Sequence, residues 1–217
     1  MIHTVEVSTR LTAGQAAEIR DNLEGLDNRE GTSLYAYLGF SRITLVNCGG
    51  FYYRLRIHWN PARMIEGSDA FRTVTSAEVI TAEPLFDKRL ADLVGLSNIP
   101  NVFAWKVDRI DYAMDFHSDY VAELVTLFSR ARIPSHYRDR AVGQIGSFYY
   151  GCQSVQLNFY NKCLELINRG FSAEQAAGAE NIIRIEVQCR GPKVRAIRKQ
   201  AGWESASLDR YLNDDMA

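Results

Sequence analysis

Two periodicities alternate along this chain. A side-chain period of two marks a strand with unlike faces, and apolar residues at i, i+3, i+4 and i+7 mark an amphipathic helix. Met1-Ile2-His3-Thr4-Val5-Glu6-Val7 alternates as a strand. Thr12 to Leu26 has helical spacing, with Ala16, Ile19, Leu23 and Leu26 on one face and Thr12 placed to cap it. Leu34 to Val46 and Phe51 to Trp59 read as strands around the Cys48-Gly49-Gly50 turn, a hairpin signal. The second of these strands sets Tyr53, Leu55 and Ile57 on one face and Arg54, Arg56 and His58 on the other, and Asn60-Pro61 ends it.

Pro84 to Leu96 predicts a helix with Phe86, Leu90, Leu93 and Val94 inward. Val102 to Phe116 is strand-like, with charged and apolar residues alternating from Val107 to Phe116. Ser118 to Arg132 carries Val121, Leu124, Val125 and Phe128 at helical spacing. Phe148 to Glu165 then reads as strand, glycine turn and strand, with Tyr160 and Lys162 sharing a face at its end. A polar, alanine-rich segment from Asn168 to Glu180 leads to a strand from Asn181 to Cys189, and a basic helix follows Pro192. The tail from Leu208 to Ala217 stops inside a helical pattern, as a fragment of a longer protein would. Helices and strands mix without a regular βαβ alternation, and hairpins are present. This order predicts an α+β fold, a central antiparallel sheet flanked by helices, in a single domain over 1–217.

Composition narrows the class. The chain has 217 residues, 47% hydrophobic and 24% charged, as expected of a globular protein with its own core. It has no apolar run of membrane-spanning length and no signal-peptide core, so the expectation is a cytoplasmic protein without a membrane partner. Cys48, Cys152, Cys163 and Cys189 are widely spaced, without a Cys-x-x-Cys pair, and read as reduced thiols. The net charge of −1 argues against a broadly basic nucleic-acid binder. A local patch still suffices for phosphates within a Debye length. The basic residues cluster at Arg54, Arg56 and Arg63, from Arg130 to Arg140, and from Arg184 to Lys199.

Three strands each carry polar residues on one face: Arg109, Asp111 and Asp115; Asn158, Tyr160 and Lys162; Arg184, Glu186 and Gln188. The plain reading is a set of solvated faces, which antiparallel sheets permit. The sharper reading is a phosphoryl-transfer site. An ammonium beside a phenol stabilises phenolate and holds a phosphate, and Mg²⁺ or Mn²⁺ takes oxygen ligands such as Asp111 and Glu186. Tyr160 would attack a phosphodiester, the metal would polarise it, and a deoxyribose oxygen would leave. Tyr149 and Tyr150 are rival nucleophiles, one expected in the core and the other free to stack on a base.

The order Val107-Asp108-Arg109-Ile110-Asp111, Tyr149-Tyr150-Gly151, Tyr160-Asn161-Lys162-Cys163-Leu164-Glu165 and Ile183-Arg184-Ile185-Glu186 resembles the rolling-circle replication initiators. The nearest likeness is to the gene II proteins of filamentous phages and related plasmid and phage Rep proteins. Leu55 to Gly67 also looks like that family's strand-Pro-Ala-basic segment, and Lys193 to Lys199 fits its basic stretch. The resemblance implies the HUH-type Rep endonuclease fold and a sequence-specific DNA nickase that leaves a 5′-phosphotyrosine and a free 3′-hydroxyl for rolling-circle replication. By motif position Tyr160 is the nucleophile, Lys162 its phosphate contact, and Asp111 and Glu186 the carboxylates on the side of a Mg²⁺ or Mn²⁺ ion. The implied partners are origin DNA, single-stranded and supercoiled, with a host helicase and polymerase. Arg54, Arg56, Arg109, Arg184, Lys193, Arg195, Arg198 and Lys199 would contact the DNA. The wider superfamily binds metal through a His-hydrophobic-His motif that this chain lacks, so His58 is the histidine candidate to join the carboxylates. The alternative is a non-catalytic module that binds an origin or single-stranded DNA.

Overall fold

The fold is taken from a computed structural model, which describes residues 1–24, 38–67, 72–95, 99–132, 135, 137, 139–142 and 146–212. Leu26, Leu34 to Tyr37, Leu96, Arg138 and Asn213 to Ala217, which fall within predicted segments, lie outside the described residues. The architecture is α+β, and the strand pairs described below are antiparallel. The chain divides into two compact units, Met1–Ile110 with Val194–Ala217, and Asp111–Lys193.

In the first unit the strand order is β2-β3-β1-β4, where β1 is Ile2–Thr12, β2 Phe40–Asn47, β3 Tyr52–Trp59 and β4 Lys106–His117, the last of which runs on into the second unit. The β2–β3 hairpin forms at the predicted Cys48-Gly49-Gly50 turn. Both glycines hold positive φ, 88° and 62°, which suits residues without a Cβ. In the β1–β3 register Val5 faces Trp59, Val7 faces Ile57 and Leu11 faces Tyr53. Val5, Val7, Leu55, Ile57 and Trp59 are fully buried, so this face is the core side. The alternate face holds Glu6, Arg10, Arg54, Arg56 and His58.

The first helix, α1 (Ala13–Glu24), starts where Thr12 accepts a hydrogen bond from the Gln15 N–H and buries Ala16 and Ile19. A short α2 (Pro61–Glu66) follows β3, capped by Asn60 with Pro61 in its first turn. The helix expected from Pro84 begins earlier, as α3 (Ser76–Val94). Thr75 and Glu78 close a reciprocal capping box, and that signal outranks the proline, which sits inside the helix. Phe86 on α3 packs edge-on against Phe40, Trp59 and Trp105, at ring-centre distances of 5.3, 4.9 and 5.8 Å.

In the second unit the order is β4-β8-β7-β6-β5, with β5 Asp139–Val142, β6 Ser147–Gly151, β7 Val155–Asn161 and β8 Ile182–Cys189. The amphipathic helix α4 (Val121–Arg130) lays Val121 and Val125 on Phe148, Tyr150 and Ile183, with Phe128 and Phe159 against the same cluster. The Phe148 and Phe159 rings stack at 4.9 Å. Helices α5 (Lys162–Asn168) and α6 (Ala173–Ala176) join β7 to β8. The predicted basic helix is α7 (Gly191–Gln200), and α8 (Leu208–Tyr211) follows it, with the Tyr211 hydroxyl donating to the Val194 carbonyl at 3.0 Å. Among the described residues no helix is long and apolar enough to cross a membrane.

Candidate functional site

The predicted polar faces of β7 and β8 do coincide, but at the Tyr160 end they are not solvated, while Asn158 and Gln188 stay partly exposed. In the β7–β8 register Tyr160 lies opposite Arg184, Asn158 opposite Glu186, and Gln156 opposite Gln188. The other face of the same ladder pairs Phe159 with Ile185 and packs under α4. Arg184 is 0% exposed, Lys162 1%, Glu186 5% and Tyr160 9%, so the charged side of this ladder is as dry as a hydrophobic core. The plain expectation of a wet face fails at this end of the sheet. Strand alternation separates two faces but does not say which of them a neighbouring helix covers.

Buried charges need partners, and these have them. The Tyr160 hydroxyl donates to Glu186 Oε2 at 3.1 Å, across the diagonal of the ladder. Gln188 Nε2 donates to the other oxygen, Oε1, at 2.9 Å and fixes the carboxylate. Lys162 Nζ donates to Glu165 Oε2 at 2.7 Å, and Arg169 Nη1 donates to Glu165 Oε1 at 2.8 Å. Arg184 forms a fork with Asp115 on β4, Nε to Oδ1 at 2.6 Å and Nη2 to Oδ2 at 2.7 Å.

Lys162 is not the strand-end residue that period two predicts. Asn161 accepts a hydrogen bond from the Leu164 N–H and caps a helix, so Lys162 opens α5. Its side chain nevertheless turns back, with Nζ 5.8 Å from the centre of the Tyr160 ring. Burial lowers Lys162 to about 8, the Arg184 charge adds to this, and Glu165 opposes it. Tyr160 moves well above its ordinary value of 10, first from burial and then from the Glu186 charge, with Arg184 opposing. Tyr160 therefore rests as a neutral phenol rather than gaining phenolate character from Lys162, because desolvation and a carboxylate partner outweigh the nearby cations.

Asp111 is fully buried on β4, with Asp115 four positions on, roughly 13 Å along a strand. It lies in electrostatic range of Cys189, whose thiol rises to about 11, mainly from burial. His58 is half-buried on β3 and belongs to the first unit, whereas Asp111 and Glu186 belong to the second. Among the described residues no group of three or more His, Cys, Asp or Glu side chains is placed to hold a metal ion. Each Glu186 oxygen accepts one hydrogen bond, from Tyr160 and from Gln188, so a divalent ion held by Asp111 and Glu186 would share that carboxylate with them.

The other predicted contacts are dispersed. Arg56 on β3 lies 3.6 Å from Glu6 and 3.5 Å from Asp108, and Arg54 and Arg109 are half-buried on β3 and β4. On α7 Lys193, Arg195 and Lys199 are exposed and Arg198 is half-buried. Arg184 is held inside by Asp115 rather than presented at the surface. Tyr150 is in the core, its hydroxyl donating to the Phe128 carbonyl at 2.8 Å, while Tyr149 lies opposite Asn158, on the Tyr160 face. Sequence reasoning missed Gln188 as the group orienting Glu186 and Asp115 as the anchor of Arg184. The period-two spacing Arg184-x-Glu186-x-Gln188 was the signal for the first. No protein-family model matches the chain, and no curated protein matches it either.

Proposed function

We propose that the chain is a DNA-nicking replication initiator of the HUH-type Rep class, in which Tyr160 attacks a phosphodiester. The observation that carries this reading is the hydrogen bond from the Tyr160 hydroxyl to Glu186, with Gln188 holding the carboxylate from behind. Nucleophile, proton acceptor and orienting group in series is the arrangement that activates a weak nucleophile. In the step, the Tyr160 oxygen bonds to phosphorus as its proton passes to Glu186. The bond from phosphorus to the 3′ oxygen breaks, and that oxygen takes a proton from solvent to leave as a hydroxyl. The products are a 5′-phosphotyrosine and a free 3′-hydroxyl. Lys162 offsets charge on the phosphate oxygens. The exposed cations of α7 would supply sequence-independent phosphate contacts. No step is routed through a metal ion, and Mn²⁺ or Mg²⁺ with Asp111 and Glu186 stays part of the proposal, to be tested by adding and chelating the ion.

The experiment is incubation of the chain with a supercoiled plasmid carrying its own coding region and flanks, with and without Mn²⁺. Wild type should relax the plasmid to the nicked form, and Tyr160→Phe should not. Nicking that survives Tyr160→Phe removes the assigned nucleophile.

One observation favours a second reading. Tyr160, Lys162 and Arg184 are all buried, and each has a partner, as in a polar core that specifies a fold without turning over substrate. On that reading the chain is a non-catalytic module that binds an origin or single-stranded DNA, and wild type binds DNA without nicking it.

A further inference from the structure

The outward face of the first unit's sheet changes character along its length. Toward one end its charges are offset: Glu6 lies 3.8 Å from Arg42 and 3.6 Å from Arg56, and Asp108 lies 3.5 Å from Arg56 and 2.5 Å from Lys106. Toward the hairpin end, Arg10 on β1 stands directly opposite Arg54 on β3, and among the described residues neither forms an ion pair. Like charges placed opposite each other on one face of an antiparallel pair destabilise it. The next pair on that face is Thr12 with Tyr52, which is 63% exposed, and Phe51 beside it is 83% exposed. Arg10, Tyr52 and Arg54 line a cleft of about 200 Å³ with the turn residues Cys48 and Gly49. That volume is below the range of closed small-molecule pockets, so the cleft suits a chain that passes over it.

We infer that the Arg10–Arg54 pair and the Phe51-Tyr52 hairpin tip form a binding site for single-stranded nucleic acid, with phosphates on the arginines and a base stacked on an aromatic ring. Two uncompensated guanidinium groups call for an anion, and the adjoining exposed rings call for an apolar, flat partner. A single strand supplies both at each nucleotide, whereas the bases of a duplex are already stacked on one another. The turn favours a defined presentation of the rings. Cys48 N–H donates to the Tyr52 carbonyl at 3.1 Å, and Gly49 N–H donates to the Asn47 side chain at 2.8 Å. This inference deepens the reading above by saying where the strand is held. It rests on that reading only for the class of substrate, because it needs no chemistry at Tyr160.

The test is fluorescence anisotropy of a labelled oligothymidine with the full chain across a salt series. The double variant Arg10→Gln/Arg54→Gln should bind at least about tenfold more weakly. It should also flatten the slope of log affinity against log salt by about 1.4, the share of two phosphates on a single strand. Tyr52→Ala should lose roughly fivefold to a hundredfold in affinity at unchanged slope, the range for one stacked base. Arg10→Gln alone should halve the slope change while leaving the melting temperature unchanged or raised, since it relieves a like-charge contact. That variant carries the test if the double variant fails to fold. Unchanged affinity in the arginine variants overturns the inference. So does competition by tripolyphosphate with no effect of Tyr52→Ala, or binding to anionic lipid vesicles in place of the oligonucleotide. Wild type that binds the oligonucleotide with these dependences but leaves supercoiled DNA uncut counts against the nickase reading alone.

Discussion

The two units use charge in opposite ways. In the first, β1 and β3 bury Val5, Val7, Leu55, Ile57 and Trp59, and their Arg and Glu side chains stay on the partly solvated face. In the second, Asp111, Lys162, Arg184 and Glu186 go inside, while Met114 and Phe116 on β4 are 52% and 45% exposed. An ion pair at a surface is worth little, because water already solvates both charges and salt screens them. A buried charge stripped of its partner is costly, because nothing replaces the lost solvation. The difference teaches where a substitution tests folding and where it tests only binding. It also marks the buried groups of the second unit as the candidate site, since dry side chains with shifted proton affinities cluster at functional sites more often than solvated ones do.

The largest expected effect breaks the comparison at its strongest point. Asp115→Ala leaves Arg184 buried without its fork and should lower stability by about 3–5 kcal/mol, read as a lower urea midpoint. Glu186→Gln keeps an acceptor for the Tyr160 hydroxyl but removes the base, so nicking should fall at least about a hundredfold while the urea midpoint moves little. Lys162 gives a pH signature. Its folded value near 8 lies below the 10.5 of the unfolded chain, so between those pH values the unfolded state holds the extra proton and stability rises with pH. The stability of wild type relative to Lys162→Met should therefore climb by about 3 kcal/mol from neutral pH to pH 10.5, in paired denaturant titrations. Smallest is Glu6→Gln in the first unit, which breaks contacts with Arg42 and Arg56 and should cost less than about 1 kcal/mol in the same assay.

Much of the strand framework was legible because alternation is a local property. The strands ending in Trp59 and Cys189 and the hairpin around Gly151 emerge within a few residues of expectation. The start of α3 was misplaced because Pro84 looks like a first-turn residue, whereas the Thr75–Glu78 box only counts once both side chains are seen to reach back. Period two makes Lys162 a strand residue, because Asn161 gives no sign in a strand pattern that it is about to cap a helix. The candidate site was half legible. Tyr160, Glu186 and Arg184 follow from register, but their burial does not, because it depends on what covers the sheet. Asp115 as the partner of Arg184 spans 69 positions in sequence and has no local signature.

The central claim is that Tyr160 becomes covalently attached to DNA. Its most direct test is to trap the chain on a labelled single-stranded oligonucleotide spanning the nick mapped in the plasmid, then digest it and locate the modified peptide by mass spectrometry. The account predicts a phosphonucleotide on the Tyr160 peptide, absent in Tyr160→Phe. An adduct on Tyr149 or Tyr150, or nicked DNA with no adduct on any tyrosine, would contradict it.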